Sequence, residues 1–265
     1  MLRWAGMLLG VPDLSLLAWV ALAIGAVTVG ISKTAIPGAN IAVALFAMVL
    51  PAKPSTAALL VLLIVADVFA VVFYRRHADW RLLRRLIPPV VVGLVLGTVF
   101  MAHASDTLMS RVIAVILIGV IVLGLVQRRR AERRERDGVT PGETGRGAAI
   151  AQSAVYGGLG GFTTMVANAA GPVMSMYFLA ARLPVTVFLG TSAWFYFVVN
   201  VSKVPFSIGL GLFSRELLLL DLVLIPFVVL GAVLGRLIVG RISRRAFEWT
   251  VIVLSIAGAA YLLVR

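Results

Sequence analysis

The chain contains no cysteine, two histidines and three lysines, against 21 arginines. Without cysteine there can be no disulfide and no thiolate metal centre, and so few histidines argue against a zinc site. The chain also lacks the His-Glu-x-x-His, Gly-x-Ser-x-Gly and Walker sequences of zinc proteases, serine hydrolases and nucleotide hydrolases. These absences predict a protein that is not an enzyme, with no catalytic residues, no bound metal and no cofactor.

Long polar stretches are also rare, and only residues 128–147 form an extended polar segment. Hydrophobic residues make up 61% of the 265-residue chain, well above the share in soluble domains. The net charge of +13 would suggest nucleic-acid binding in a soluble protein, but here the arginines cluster in short loops between apolar runs. We therefore predict an all-α polytopic membrane protein that lies in a lipid bilayer and binds no nucleic acid.

The apolar runs form ten segments with approximate limits. They cover residues 14–32, 38–50, 56–74, 86–103, 108–127, 148–165, 170–181, 186–208, 217–238 and 247–264. The segments 38–50 and 170–181 are shorter than the roughly 20 residues that a helix needs to cross a bilayer. Each adjoins an interruption that contains glycine, proline and asparagine, at residues 30–40 and 160–172. This arrangement predicts broken or re-entrant helices.

One motif occurs twice, at residues 87–97 and 225–235, with eight of eleven positions identical. The first copy follows an arginine-rich loop, whereas the second copy precedes one. Because basic loops stay on the cytoplasmic side, the two copies should cross the membrane in opposite directions. We therefore predict two inverted-topology repeats of about five hydrophobic segments each, 1–127 and 148–265. The basic linker 128–147 is then cytoplasmic, and both termini lie outside.

The two interruptions are the best candidates for a binding site. Paired helix breaks, one in each half, are typical of transporters that bind a small solute near the bilayer midplane. Backbone N–H groups at a helix N-terminus favour an anion. The predicted substrate-binding residues are Lys33, Asn40, Thr163, Thr164, Asn168, Asn200 and Lys203. The alternative is that the small residues of the interruptions only let helices pack closely.

Charged residues inside apolar segments are energetically unfavourable, and they therefore indicate function. Lys33 lies within the first interruption, and Lys203 lies near the end of segment 186–208. Either lysine could instead extend its side chain toward the membrane surface. Asp67 lies in the middle of segment 56–74, where it could carry a coupling proton or serve as the counter-ion of Lys33.

The order of these motifs resembles the TauE/SafE family, the sulfite exporter or toluene sulfonate uptake permease family. The resemblance rests on residues 30–40, on Asp67 with 74–81, on the Pro-x4-Gly-x3-Gly spacing, on 163–172 and on 190–205. It covers nearly the whole chain apart from the ends and the linker. The resemblance implies a permease of the bacterial inner membrane for sulfite, an organosulfonate or a related sulfur-containing anion, in either direction.

The leading hypothesis is a secondary transporter that moves a small anion by alternating access around a midplane site. An anion channel of the same fold remains an alternative, because helix breaks suit both mechanisms. A membrane-embedded enzyme would need a cluster of histidines or carboxylates that the sequence does not suggest. An assembly subunit without transport activity would have little need of two helix breaks. The spans indicate no particular oligomeric state.

Overall fold

A computed structural model describes residues 14–34, 39–137, 146–181 and 183–238. Within these ranges the chain forms nine α-helices and one 3-10 helix, without any β-strand. In chain order, they are α1 (Leu16–Thr34), α2 (Ala39–Val49), α3 (Ala52–Tyr74), the 3-10 helix (Arg75–His77), α4 (Trp80–His103), α5 (Asp106–Asp137), α6 (Arg146–Ala167), α7 (Gly171–Ala180), α8 (Val185–Gly209) and α9 (Arg215–Ile238). The prediction of an all-α protein is confirmed.

Five of the described helices, α1, α3, α4, α8 and α9, are long and apolar enough to cross a bilayer. The helices α2 and α7 are short, with 11 and 10 residues. They coincide with the two segments that were predicted to be too short to span. The predicted segment 247–264 lies outside the described residues, as do residues 35–38 of the first interruption.

Helix α5 continues beyond its apolar segment into the predicted linker. It ends at Asp137, so the first ten residues of the interval 128–147 are helical. Arginine and glutamate are strong helix formers, which explains why a helix can extend through such a polar sequence. Residues 138–145 lie outside the described part of the chain.

Two helix pairs pack with their backbones in close contact, and glycine makes both contacts possible. In the α4–α6 pair, a Cβ atom added to Gly93 would lie 2.2 Å from the carbonyl oxygen of Gly158. In the α1–α9 pair, a Cβ atom added to Gly231 would lie 2.1 Å from the carbonyl oxygen of Val27. Gly93 and Gly231 are equivalent positions of the repeated motif. The contacts therefore match across the two predicted repeats, with the first helix of each against the fourth helix of the other.

Helices α3 and α8 pack against each other. Each begins after a proline with nearly the same backbone conformation, φ −54° and ψ 149° at Pro51, φ −52° and ψ 148° at Pro184. Proline suits this position because a helix start needs no N–H partner there. Asp67 and Asn200 both stand sixteen residues after these prolines. The two helices therefore present corresponding positions to each other.

The arginine-rich segment 75–85, which comprises the 3-10 helix, the link to α4 and the first residues of α4, is held against the N-terminal half of α8. We call it the basic turn. Asp79 caps α4 by accepting a hydrogen bond from the backbone of Leu82 at 3.0 Å. The backbone N–H of Asp79 donates to Thr191 Oγ1 at 2.9 Å. The indole of Trp194 donates to the carbonyl of Arg75 at 3.3 Å. These bonds position α8 relative to both α3 and α4.

Candidate functional site

The second interruption breaks the helix between α6 and α7. Helix α6 ends at Ala167, and Asn168 has a positive φ of 52°. Asparagine tolerates this left-handed conformation better than most residues, so the helix can stop here without a glycine. The turn directs the Asn168 amide into the protein, where its Nδ2 donates to the carbonyl oxygen of Thr56 at 2.9 Å.

Lys203 on α8 lies directly beside this break. Its side chain is among the largest fully buried ones, with 2% of the residue exposed. The Lys203 ammonium donates to Asn168 Oδ1 and, at 3.4 Å, to Thr164 Oγ1. Both acceptors are neutral, and no carboxylate of the described residues lies within ion-pair distance of Lys203. We call Lys203, Asn168 and Thr164 the lysine–amide cluster.

A second polar group surrounds Asn200, which lies about one helical turn before Lys203 on α8. Lys33 Nζ is 2.6 Å from Asp67 Oδ1, and Asn200 Nδ2 donates to Asp67 Oδ2 at 2.6 Å. The ammonium of Lys33 also lies 4.2 Å from the ring centre of Tyr196, a cation–π geometry. Asp67 is fully buried and the Lys33 side chain is 10% exposed. We call Lys33, Asp67 and Asn200 the ion-pair cluster.

The two clusters act on each other electrostatically. Asn200 and Lys203 are three residues apart on α8, about 4.5 Å along the helix axis. The charges of Lys33 and Asp67 both act on the Lys203 ammonium. With all three side chains ionised, the two clusters together carry a formal charge of +1. A buried charge of this kind is unfavourable unless an opposite charge or good hydrogen bonds compensate it.

The structure brings six of the predicted site residues together. They are Lys33, Asp67, Thr164, Asn168, Asn200 and Lys203. Thr163 belongs to neither cluster. Its hydroxyl donates a hydrogen bond to the carbonyl of Leu159 in its own helix at 2.8 Å. Asn40 lies in the first turn of α2, and within the described ranges it makes no hydrogen bond to either cluster. Sequence reasoning grouped Thr163 with Thr164, but adjacent residues of a helix point in directions about 100° apart.

Sequence reasoning missed two contributors to the site. Tyr196 covers the Lys33 ammonium, and the Thr56 carbonyl holds the Asn168 amide. A signal for Tyr196 was available, because it precedes Asn200 by four residues and so shares its helix face. The Thr56 contact joins residues 112 positions apart, and no local pattern of side chains indicates it.

The chain was compared with known families, curated proteins and solved structures. A family model described as "Sulfite exporter TauE/SafE" matches residues 18–262. No curated protein and no solved structure gives a significant match. The family match spans both interruptions of the sequence and every member of the two clusters, and it agrees with five membrane-length apolar helices. The chain therefore belongs to the sulfite exporter TauE/SafE family.

Proposed function

We propose that the protein is a secondary transporter of a small anion, either sulfite, an organosulfonate or a related sulfur-containing anion. The observation that carries the proposal is the buried Lys203 ammonium, whose partners among the described residues are all neutral. A cation in this position attracts an anion, and the Asn168 and Thr164 side chains can supply further hydrogen bonds. Membership of a sulfite exporter family supports the chemical class of the substrate.

Asp67 is proposed to couple transport to protons. In the described state its carboxylate neutralises Lys33. If Asp67 takes up a proton, the Lys33 ammonium loses its counter-ion and can contribute a second positive charge to the same region. Protonation of Asp67 would thereby increase the attraction for an anion, which is the sign that proton–anion symport requires.

The proposed mechanism is alternating access between two inverted repeats around these clusters. The matching glycine contacts of the α1–α9 and α4–α6 pairs support this architecture. The hydrogen bond between the corresponding positions Asp67 and Asn200 supports it as well. The site is closed in this structure, because Lys203 and Asp67 are almost fully buried. We place the protein in the bacterial inner membrane, with residues 128–147 cytoplasmic and both termini outside.

The repeat architecture can be tested by exchanging glycines. Gly93→Ala and Gly231→Ala should destabilise the protein by similar amounts, about 1–3 kcal/mol each, because each added methyl meets a backbone carbonyl. Gly158→Ala is the matched control, since its added Cβ would lie 3.9 Å from the nearest atom. Thermal unfolding in detergent measures all three. Unequal effects of the first two substitutions would argue against equivalent halves.

Transport can be tested with purified protein in proteoliposomes. Uptake of labelled sulfite, sulfoacetate and taurine should saturate for at least one of these solutes. Lys203→Met should lower kcat/KM by about tenfold or more, because hydrogen bonds to a charged group contribute about 1.5–3 kcal/mol. Lys53→Met is the control: Lys53 lies at the start of α3, and its hydrogen bonds are made by its backbone, which donates to Asp106 Oδ1 and accepts from Thr56 Oγ1.

Three outcomes would overturn the proposal. Equal loss in Lys203→Met and Lys53→Met would mean that Lys203 has no special role. Flux that does not saturate and reaches ionic conduction rates would indicate an anion channel. Transport of a cation or a neutral solute, without any anion, would contradict the assigned substrate class.

A further inference from the structure

A recess with almost entirely apolar walls opens between α4 and α8, away from the two polar clusters. Its cavity volume is about 80 Å³. Its floor is formed by buried side chains of both helices, including Leu83, Leu86 and Val90 of α4 and Phe195 and Val199 of α8. Ser202 and Arg84 are the only polar residues among those that line it. An open apolar recess of this kind can take in part of a hydrocarbon chain, while the rest of the chain lies along the lipid-facing surface.

The recess faces the surroundings of the helix bundle. Its rim includes Ile87, Val91 and Val198, which are 49%, 45% and 40% exposed. Exposed apolar side chains in the membrane-length helices α4 and α8 contact lipid when the protein lies in a bilayer. The recess is therefore open sideways to the hydrocarbon core of the membrane.

One end of the recess carries the features of a membrane–water interface. Trp80 and Trp194 line it, with ring centres 5.1 Å apart. Tryptophan is enriched at the level of lipid headgroups. Arg84 lies one turn further along α4 than Trp80 and belongs to the basic turn, residues 75–85. Positive charge thus adjoins the apolar recess at its headgroup end.

We propose that this recess binds an acyl chain of an anionic phospholipid whose phosphate is held by Arg84. Charge complementarity identifies the occupant, because the basic turn carries five arginines and one aspartate beside an apolar slot. A guanidinium binds phosphate in a bidentate geometry, and basic residues near the membrane surface favour anionic over zwitterionic lipids. A soluble anion would gain nothing from the apolar walls.

Helix α8 connects this lipid site to the polar clusters. Trp194, Val198 and Ser202 follow each other at intervals of four residues and face the recess. Asn200 and Lys203 lie on another face of the same helix and enter the polar clusters. A bound lipid chain would therefore pack against the helix that carries the proposed anion site. The lipid site itself does not depend on the transport proposal.

Lipids with brominated acyl chains test this site, because bromine quenches tryptophan fluorescence at contact. The protein is placed in phosphatidylcholine nanodiscs that contain a small share of brominated phosphatidylglycerol or, as reference, brominated phosphatidylcholine. Two of the five tryptophans line the recess. We expect brominated phosphatidylglycerol to reach half-maximal quenching at a content about fivefold lower than brominated phosphatidylcholine requires. This ratio corresponds to the attraction between one arginine and an anionic lipid.

Two matched pairs of variants locate the lipid. Arg84→Gln should abolish the preference for phosphatidylglycerol, while Arg85→Gln, at a neighbouring exposed arginine outside the recess, should keep it. Val198→Phe should fill the recess and weaken quenching, while Val201→Phe, at a valine of α8 that is 43% exposed, should not. Thermal unfolding confirms that each variant is folded.

Three results would overturn the proposal. Equal quenching by the two lipids in the unmodified protein would exclude selectivity for the anionic headgroup. Equal effects of Arg84→Gln and Arg85→Gln would indicate a diffuse electrostatic attraction instead of a site. Unchanged quenching in Val198→Phe would show that the chain lies elsewhere on the surface.

Discussion

The two buried lysines of this protein are held in opposite ways. Lys33 has a carboxylate at 2.6 Å and an aromatic ring over its ammonium, so its charge is compensated within the protein. Lys203 is more deeply buried, yet it is held by an amide and a hydroxyl. A compensated cation stabilises helix packing, whereas an uncompensated cation remains available for an anion. This difference is the reason why we propose Lys203, and not Lys33, as the lysine that binds the anion.

The partners of the two lysines also come from different kinds of backbone. Asp67 lies in the middle of the continuous helix α3. The acceptors of Lys203, Thr164 and Asn168, lie at the end of α6 where the helix breaks. A helix break can change its backbone torsions more easily than a helix interior. The lysine without a carboxylate partner is therefore bound beside the helix break, and it is at this break that we expect the backbone to rearrange during transport.

Removing Asp67 should have the largest effect on stability. Asp67→Ala leaves the Lys33 ammonium buried without its counter-ion, which should destabilise the protein by about 3–5 kcal/mol. Thermal unfolding in detergent measures the change. The double variant Lys33→Met/Asp67→Ala should recover most of the loss, because it removes both charges. A double variant as unstable as Asp67→Ala alone would mean that the ion pair is not the cause.

The two lysines should differ in whether the protein needs them to be stabilised by a bound anion. A transported anion at 100 times its Kd should stabilise the native state by about 2.7 kcal/mol. Lys203→Met should lose this stabilisation, whereas Lys33→Met/Asp67→Ala should retain it. The measurement is the melting temperature with increasing sulfite or sulfonate. The opposite pattern would assign the anion to Lys33 and reverse the comparison.

Substitutions of Asn168 distinguish the contribution of the backbone conformation at the helix break from the contribution of the Asn168 side chain. Asn168→Gly tolerates the positive φ but loses both amide hydrogen bonds, and Asn168→Ala loses the bonds and strains the backbone as well. We expect Asn168→Ala to be about 1 kcal/mol less stable than Asn168→Gly. Both should lose anion binding. Full anion-dependent stabilisation in Asn168→Gly would remove the amide from the site.

The smallest effect is expected at Tyr196. Tyr196→Leu removes the aromatic face over Lys33 and should destabilise the ion-pair cluster by about 0.5–2 kcal/mol. Tyr196→Phe keeps the ring and loses only a weak hydrogen bond to the Gly171 carbonyl at 3.4 Å, so its stability should be close to that of the unmodified protein. If the two variants melt at the same temperature, the cation–π contact does not stabilise the cluster.

Much of the fold was predictable because it depends on local features of the chain. The length of apolar runs determines which segments can cross a bilayer, and glycine and proline determine where helices stop. The short helices α2 and α7 were predicted for this reason, and their observed limits differ from the predicted ones by one residue at each end. The extension of α5 to Asp137 was not predicted, because a polar sequence outside the bilayer is compatible with a linker as well as with a solvated helix.

The candidate site was only partly predictable. Rare polar residues within apolar segments were identified because water is absent there and every such group needs a partner. Which groups become partners depends on helix rotation and on contacts between distant parts of the chain. Thr164 enters the lysine–amide cluster and Thr163 does not, although the two are adjacent. Asn40 was predicted with them, and the packing of α2 leaves it outside both clusters.

The sequence by itself determined that the chain is an all-α membrane protein of the TauE/SafE family, because hydropathy and motif order are properties of single segments. It also determined that Lys33, Asp67 and Lys203, which lie within or beside apolar segments, would have to be accommodated. Only the tertiary structure decided that Asp67 pairs with Lys33 and that Lys203 receives neutral partners. The packing of α1, α3, α6 and α8 determines the partner of each lysine, because ion pairing requires two side chains from distant segments to meet within about 4 Å.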